Sequence, residues 1–113
     1  MTTTMTEVDR VLGALGDPTR RKVVTMLGEG PHRAGTLAAR AGTSAPTMSR
    51  HLRVLLDAGI VDDQRDDDDA RARVFRIRPE SVAALQAWLD ELQSHWDAQL
   101  RSYQRHVERR GSR

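Results

Sequence analysis

Cysteine is absent from the 113 residues. That removes disulfides, thiolate metal sites and a cysteine nucleophile together, and leaves only oxygen and nitrogen donors for any metal. It is also compatible with a reducing compartment. No apolar run approaches the roughly 18 residues of a membrane span, and the opening MTTTMTEVDR has neither an apolar h-region nor a cleavage site. The expected location is therefore the cytoplasm, with no membrane partner. Lysine is nearly missing as well, since seventeen of the eighteen basic residues are arginine. Genome composition can produce that bias, so it carries no functional weight here.

What is present, 38% hydrophobic and 30% charged residues, suits one globular domain with a modest core. A net charge of +2 is a weak argument for a nucleic-acid partner. The distribution of charge says more. From Gly30 to Leu56 the chain carries Arg33, Arg40, Arg50 and Arg53 and no acid, whereas Asp57 to Asp69 holds seven aspartates against Arg65 alone.

Residues 1–6 are expected to be a flexible tail, 7–108 the folded domain and 109–113 a second tail. Val8, Val11, Leu12 and Leu15 recur at helical spacing and predict a first helix from Glu7 to Leu15. In GDPTRRKVVTMLGEG, Asp17 is an N-cap with Pro18 at the first helical position, ahead of apolar Val23, Val24, Met26 and Leu27. Leu37, Ala38 and Ala41 share one face of a third helix over 34–41, which Gly42 can end in the left-handed conformation. Ser44 caps a fourth helix, Pro46 sits in its first turn and Gly59 closes it. Two helices joined by so short a glycine-containing turn form a helix-turn-helix.

The fourth helix has an unusual outer face. Met48, Leu52, Leu55 and Leu56 fall on one arc with Ala45, and Thr47, Ser49, Arg50 and Arg53 on the other. Hydroxyls beside guanidinium forks, with no lysine or glutamate, suit phosphates and base edges. His51 lies at the edge of the arc, where it either packs or touches phosphate. Ile60 to Gln64 and Ala72 to Ile77 read as strands of a hairpin around RDDDDAR, which adds a wing. From Glu80 the helical period returns with Leu85, Trp88, Leu89, Leu92, Trp96, Leu100, Tyr103 and Val107. Four short helices offer little surface to cover this stripe, and a second copy of the chain would. The expected fold is mainly α with a small β-hairpin wing, in the order α-α-α-α-β-β-α, dimerising through its terminal helices. The interface residues are then Val8, Val11, Leu12, Leu85, Trp88, Leu89, Leu92, Trp96, Leu100 and Tyr103.

With ALGDPTRRKVV, LAARAGTSAPTMSRHLRVLLDAGIV and RARVFRIRPE in that order, the sequence resembles the ArsR/SmtB family of winged helix-turn-helix regulators over residues 8–108. The resemblance implies a homodimer that binds double-stranded operator DNA as a repressor and leaves it when an effector binds. It places the recognition helix on Ser44 to Ala58, with Ser44, Thr47, Ser49, Arg50, His51 and Arg53 toward DNA. A palindromic operator with half-sites one DNA turn apart follows from dimer symmetry.

The sequence departs from that family in two places. Where soft-metal sensors of the family carry cysteines, this chain has Arg33 and Gly35. The wing, often basic in the family, carries Asp66, Asp67, Asp68 and Asp69, which would repel phosphate. Its tip is expected to be solvated or to point away from DNA, with Arg71 or Arg73 making the contact instead. Consecutive acids in a hairpin tip do not converge as calcium ligands do. His95 and His106 match the spacing of the family's hard-metal site on the last helix, but Gln93 and Arg109 stand where its other ligands would be. No cofactor is therefore expected, with zinc or nickel held by this histidine pair as the alternative. Another alternative is a protein-interaction module that has lost DNA binding. An enzyme is not expected: Ser49, His51 and Asp57 diverge on one helix and cannot form a triad.

Overall fold

A computed structural model of the chain describes residues 2–111. The first helix, α1, runs Thr2–Leu15 and so begins five residues before Glu7. Residues 2–6, read from the sequence as a tail, are helical. Helix α2 (Pro18–Leu27) starts at the expected cap, where the Asp17 carboxylate accepts from the backbone N–H of Thr19 at 2.8 Å and of Arg20 at 3.2 Å. The N–H groups left free at a helix start are thereby satisfied.

A two-residue strand, β1 (His32–Arg33), precedes helix α3 (Ala34–Ala41). Gly42 ends α3 at φ 71°, the left-handed conformation that glycine adopts without penalty. Helix α4 (Ala45–Asp57) follows, capped by Ser44, whose Oγ accepts from Thr47 N–H at 3.3 Å. Strands β2 (Val61–Arg65) and β3 (Arg73–Ile77) pair antiparallel, with Val61 opposite Ile77 and Arg65 opposite Arg73. On the other edge of β3, His32 lies opposite Phe75, so the expected two-stranded wing is a three-stranded sheet in the order β1-β3-β2.

The core gathers Val23 and Met26 from α2, Leu37 from α3, Met48, Leu52 and Leu55 from α4, Ile60 from the turn that follows, and Val61 and Phe75 from the sheet. Each side chain of this kind contributes about 1.5–3 kcal/mol when fully buried. Val8 and Val11, expected at a dimer interface, are buried within this chain at 0% and 4% exposure. They cover the chain's own interior and have no surface to offer a partner. Leu12 on the same helix is exposed.

The last helix, α5 (Pro79–Gly111), has 33 residues and at 1.5 Å per residue is about 50 Å long. Residues 109–111, expected as a tail, continue it, and residues 112–113 lie outside the described range. None of its described residues is buried. Leu85, Trp88 and Leu92 are half-buried, whereas Leu89, Trp96, Leu100, Tyr103 and Val107 are exposed. The helix outruns the domain and gives the molecule extents of 74 × 31 × 21 Å.

Candidate nucleic-acid interface

Helices α3 and α4 meet through Gly42, Thr43 and Ser44. Burial of Met48, Leu52 and Leu55 fixes the rotation of α4, so that Ser49, Arg50 and Arg53 are exposed and Thr47 is half-buried. Neither the Arg50 nor the Arg53 side chain makes a hydrogen bond or ion pair with another described residue, so their guanidinium forks remain open to a ligand. The hydroxyls at the start of the helix are partly engaged. Ser44 Oγ donates to Thr47 Oγ1 at 2.9 Å, and Thr43 Oγ1 donates to the Ser44 carbonyl at 2.9 Å.

His51 is placed differently from the other candidates. Its Nδ1 lies 3.2 Å from Arg20 Nη1, and because arginine only donates, Nδ1 is the acceptor and the proton sits on Nε2. Arg20 is held in turn by a 2.6 Å bond from its Nε to the Ala14 carbonyl. Of the two roles open to His51, the structure supports packing, where the half-buried ring ties α4 to α2.

The wing also corrects the sequence reading. Arg73 pairs with Asp63 on β2, and its guanidinium carbon lies 5.8 Å from the Phe75 ring centroid, so it is not free for phosphate. Arg71 is exposed and its side chain makes no hydrogen bond or ion pair among the described residues. Asp66 is not simply solvated: it accepts from Arg33 and, through Oδ1, from Asp68 N–H at 3.1 Å. The Arg33 hydrogen bond is the main cause that holds the Asp66 carboxyl below its usual pKa, and Asp66 raises that of Arg33 in return. Asp69 likewise caps its own turn by accepting from Arg71 N–H at 3.0 Å.

Between α4 and the wing lies an open groove of about 710 Å³ lined by Arg33, Arg53, Arg71 and Arg73, with Ser49 on one wall and Phe75 among its apolar lining. Arg53 and Arg71 have no side-chain partner among the described residues and suit an anionic backbone, since arginine binds phosphate oxygens in a bidentate fashion, whereas Arg33 and Arg73 are held by Asp66 and Asp63. Arg33 was not expected there. Its contribution depends on β1 bringing it beside residues far along the chain, which no local pattern records.

His95 and His106 are exposed on α5. Eleven helical residues separate them by about 16 Å along the axis, too far for one ion to span within a chain. No cluster of three or more histidine, aspartate or glutamate side chains fit to hold a metal occurs among the described residues. Among the described residues no helix is long and apolar enough to cross a membrane.

Comparison with known proteins agrees with this geometry. A helix-turn-helix domain family matches residues 15–64. The chain is 36% identical over 103 residues to the HTH-type transcriptional regulator Rv2034 of Mycobacterium tuberculosis, covering 91% of each protein. Among solved structures it is similar to an ArsR family transcriptional regulator, with 32% identity, a TM-score of 0.71 and coverage of 80% of this chain and 91% of the other. It is also similar to a homodimeric winged helix-turn-helix DNA-binding domain from Mycobacterium bovis, with 26% identity, a TM-score of 0.66 and coverage of 82% and 83%.

Proposed function

Because the chain belongs to the ArsR family of winged helix-turn-helix regulators and is a DNA-binding transcriptional regulator, we propose that it acts as a homodimeric repressor on a palindromic operator. In this reading each α4 enters a major groove, about 12 Å wide and able to admit one helix. Arg50 and Arg53 address base edges and phosphates, and the groove between α4 and the wing receives the adjacent backbone. Occupancy of the operator excludes polymerase from the promoter. A regulator of this kind works beside the chromosome, in the cytoplasm, and the reading needs no metal and no catalytic group.

One observation carries the proposal: Arg50 and Arg53 are exposed, with no side-chain partner among the described residues, on the outer face of a helix whose opposite face is locked into the core. Support for the dimer is separate. The half-exposed Trp96 and exposed Leu100 and Tyr103 form an apolar stripe that this chain leaves uncovered, and a relative of the same fold is homodimeric.

Selection of bound sequences from random DNA tests the reading. The expected outcome is enrichment of a palindrome whose half-sites lie about 10 base pairs apart, centre to centre. Enrichment of no sequence, with affinity insensitive to salt, would instead favour an interaction module that has lost DNA binding.

A further inference from the structure

A second cleft, of about 330 Å³, lies away from the DNA face between α1, the C-terminal end of α4 and the start of α5. Glu7 and Arg10 reach it from α1, Asp57 from α4, and Arg78 and Glu80 from the β3–α5 junction, with Leu56 among its apolar lining. Three ion pairs elsewhere join different elements: Arg33 with Asp66, Arg76 with Asp62 at 2.7 Å, and Arg40 with Glu29 at 3.2 Å. Among the described residues no such pair spans this cleft. Its one ion pair, Arg78 with Glu80 at 3.5 Å, joins near neighbours in sequence. The side chains of Glu7, Arg10 and Asp57 make no hydrogen bond or ion pair with any described residue.

We propose that this cleft binds a small zwitterion carrying both a carboxylate and an ammonium group, of which an α-amino acid is the simplest, and that its occupancy changes operator affinity. A ligand bearing an anion alone would meet Arg10 and Arg78 but also three carboxylates. A ligand bearing a cation alone would face two guanidinium groups. A molecule with both charges satisfies both sets. The volume lies at the small end of the range for ligand pockets, which suits a compact molecule with a short apolar side chain against Leu56.

The position explains how occupancy reaches DNA. Arg78 N–H donates to the Ile60 carbonyl at 2.8 Å, so the residue that lines the cleft is fastened to the segment leaving α4. Gly59, in that segment, holds φ 74°, and little slack separates the end of the recognition helix from the sheet. By helical phase the α5 side of the cleft lies about 120° from the stripe formed by Trp96, Leu100 and Tyr103, and its α1 side about 150° from Leu12. The effect on DNA rests on the regulator reading, whereas the binding site itself does not.

Titration calorimetry on the full chain without DNA, with each of the twenty protein amino acids in turn, tests the site. At least one is expected to bind saturably. Its decarboxylated amine and its deaminated acid, as well as the variants Arg10→Gln and Glu7→Gln with the intact ligand, should each bind about tenfold more weakly or worse. Absence of any binding, a half-molecule that binds as tightly as the whole, or binding untouched by both variants would overturn the site. Operator affinity is then measured with and without the bound amino acid, and a change is expected, matched by an equal change in ligand affinity when operator is present. A ligand that binds while operator affinity stays constant would overturn the coupling. Absence of any operator appears instead in the DNA selection, and so is distinguished from failure of the site.

Discussion

Arg33, at the end of β1, donates from both Nε and Nη2 to a single carboxylate oxygen of Asp66 at the wing tip. The acidic tip is therefore folded against the edge of the groove between α4 and the wing, and Arg33, like Arg73 with Asp63, is occupied by a carboxylate standing where a phosphate would. Asp66→Ala removes that competitor and frees the guanidinium. Affinity for random duplex is expected to rise, and its logarithm to fall more steeply with the logarithm of salt, by about 0.9 for one added phosphate contact. Fluorescence anisotropy over a salt series reads both. An unchanged slope would show that Arg33 does not reach the backbone.

Arg50→Ala removes an unpartnered bidentate donor from the outer face of α4. Specific operator binding should weaken by about 1–3 kcal/mol, with sequence preference relaxed at one position of each half-site and the dimer intact. Operator affinity equal to that of the parent chain would remove Arg50 from the site.

Two carboxylates set the response to acid. Asp17, held low chiefly by the Arg20 backbone N–H, and Asp66, held low chiefly by Arg33, both have folded-state pKa values below the ordinary 3.8. The unfolded chain therefore takes up these protons first as pH falls. The stability they contribute is complete above the ordinary carboxylate pKa and is lost as pH drops through the depressed values. Asp17→Asn keeps a capping side chain but abolishes the titration, so its urea midpoint should change less than the parent's between about pH 5 and pH 2. Equal slopes for the two proteins would contradict this assignment.

Trp96→Ala addresses the stripe on α5. Burial of a side chain of this size in an interface contributes about 1.5–3 kcal/mol, and each dimer would lose two. Sedimentation should show a shift toward monomer, and operator affinity should fall far more than affinity for random DNA. A variant that remains dimeric at low micromolar concentration would overturn this interface.

His95 and His106 give a test of metal dependence. Replacement of both by alanine should leave dimerisation and operator affinity unchanged, with or without zinc or nickel. A metal response in the parent protein that the double variant loses would make the pair a shared site between two chains.

Helix α4 was legible because three signals coincide: the Ser44 cap, Pro46 in the first turn, and a 3.6-residue apolar period through Met48, Leu52 and Leu55. Strand β1 was not, because two residues carry no alternation and its partner Phe75 lies 43 positions away. Separations of 33 and 31 residues likewise hid the Arg33–Asp66 pair and the contact of Arg20 with His51. Val8 and Val11 show a different limit. Apolar period marks which face of a helix is covered, not whether the cover comes from the same chain or another, and only the packing of α1 decides that. Arg73 looked available for the same kind of reason, since a one-dimensional pattern cannot show the diagonal neighbour Asp63 across the hairpin.

Both tryptophans of the chain, Trp88 and Trp96, lie on α5, and the helix-turn-helix has none. Indole emission therefore watches one helix and is blind to the rest of the molecule. With Trp96 55% exposed in the single chain, its spectrum should lie toward the red, and covering the stripe should move it to shorter wavelength with no change in the DNA-reading face. Light from these two rings reports assembly in real time and without a label, since the core itself holds only the lone phenylalanine, Phe75.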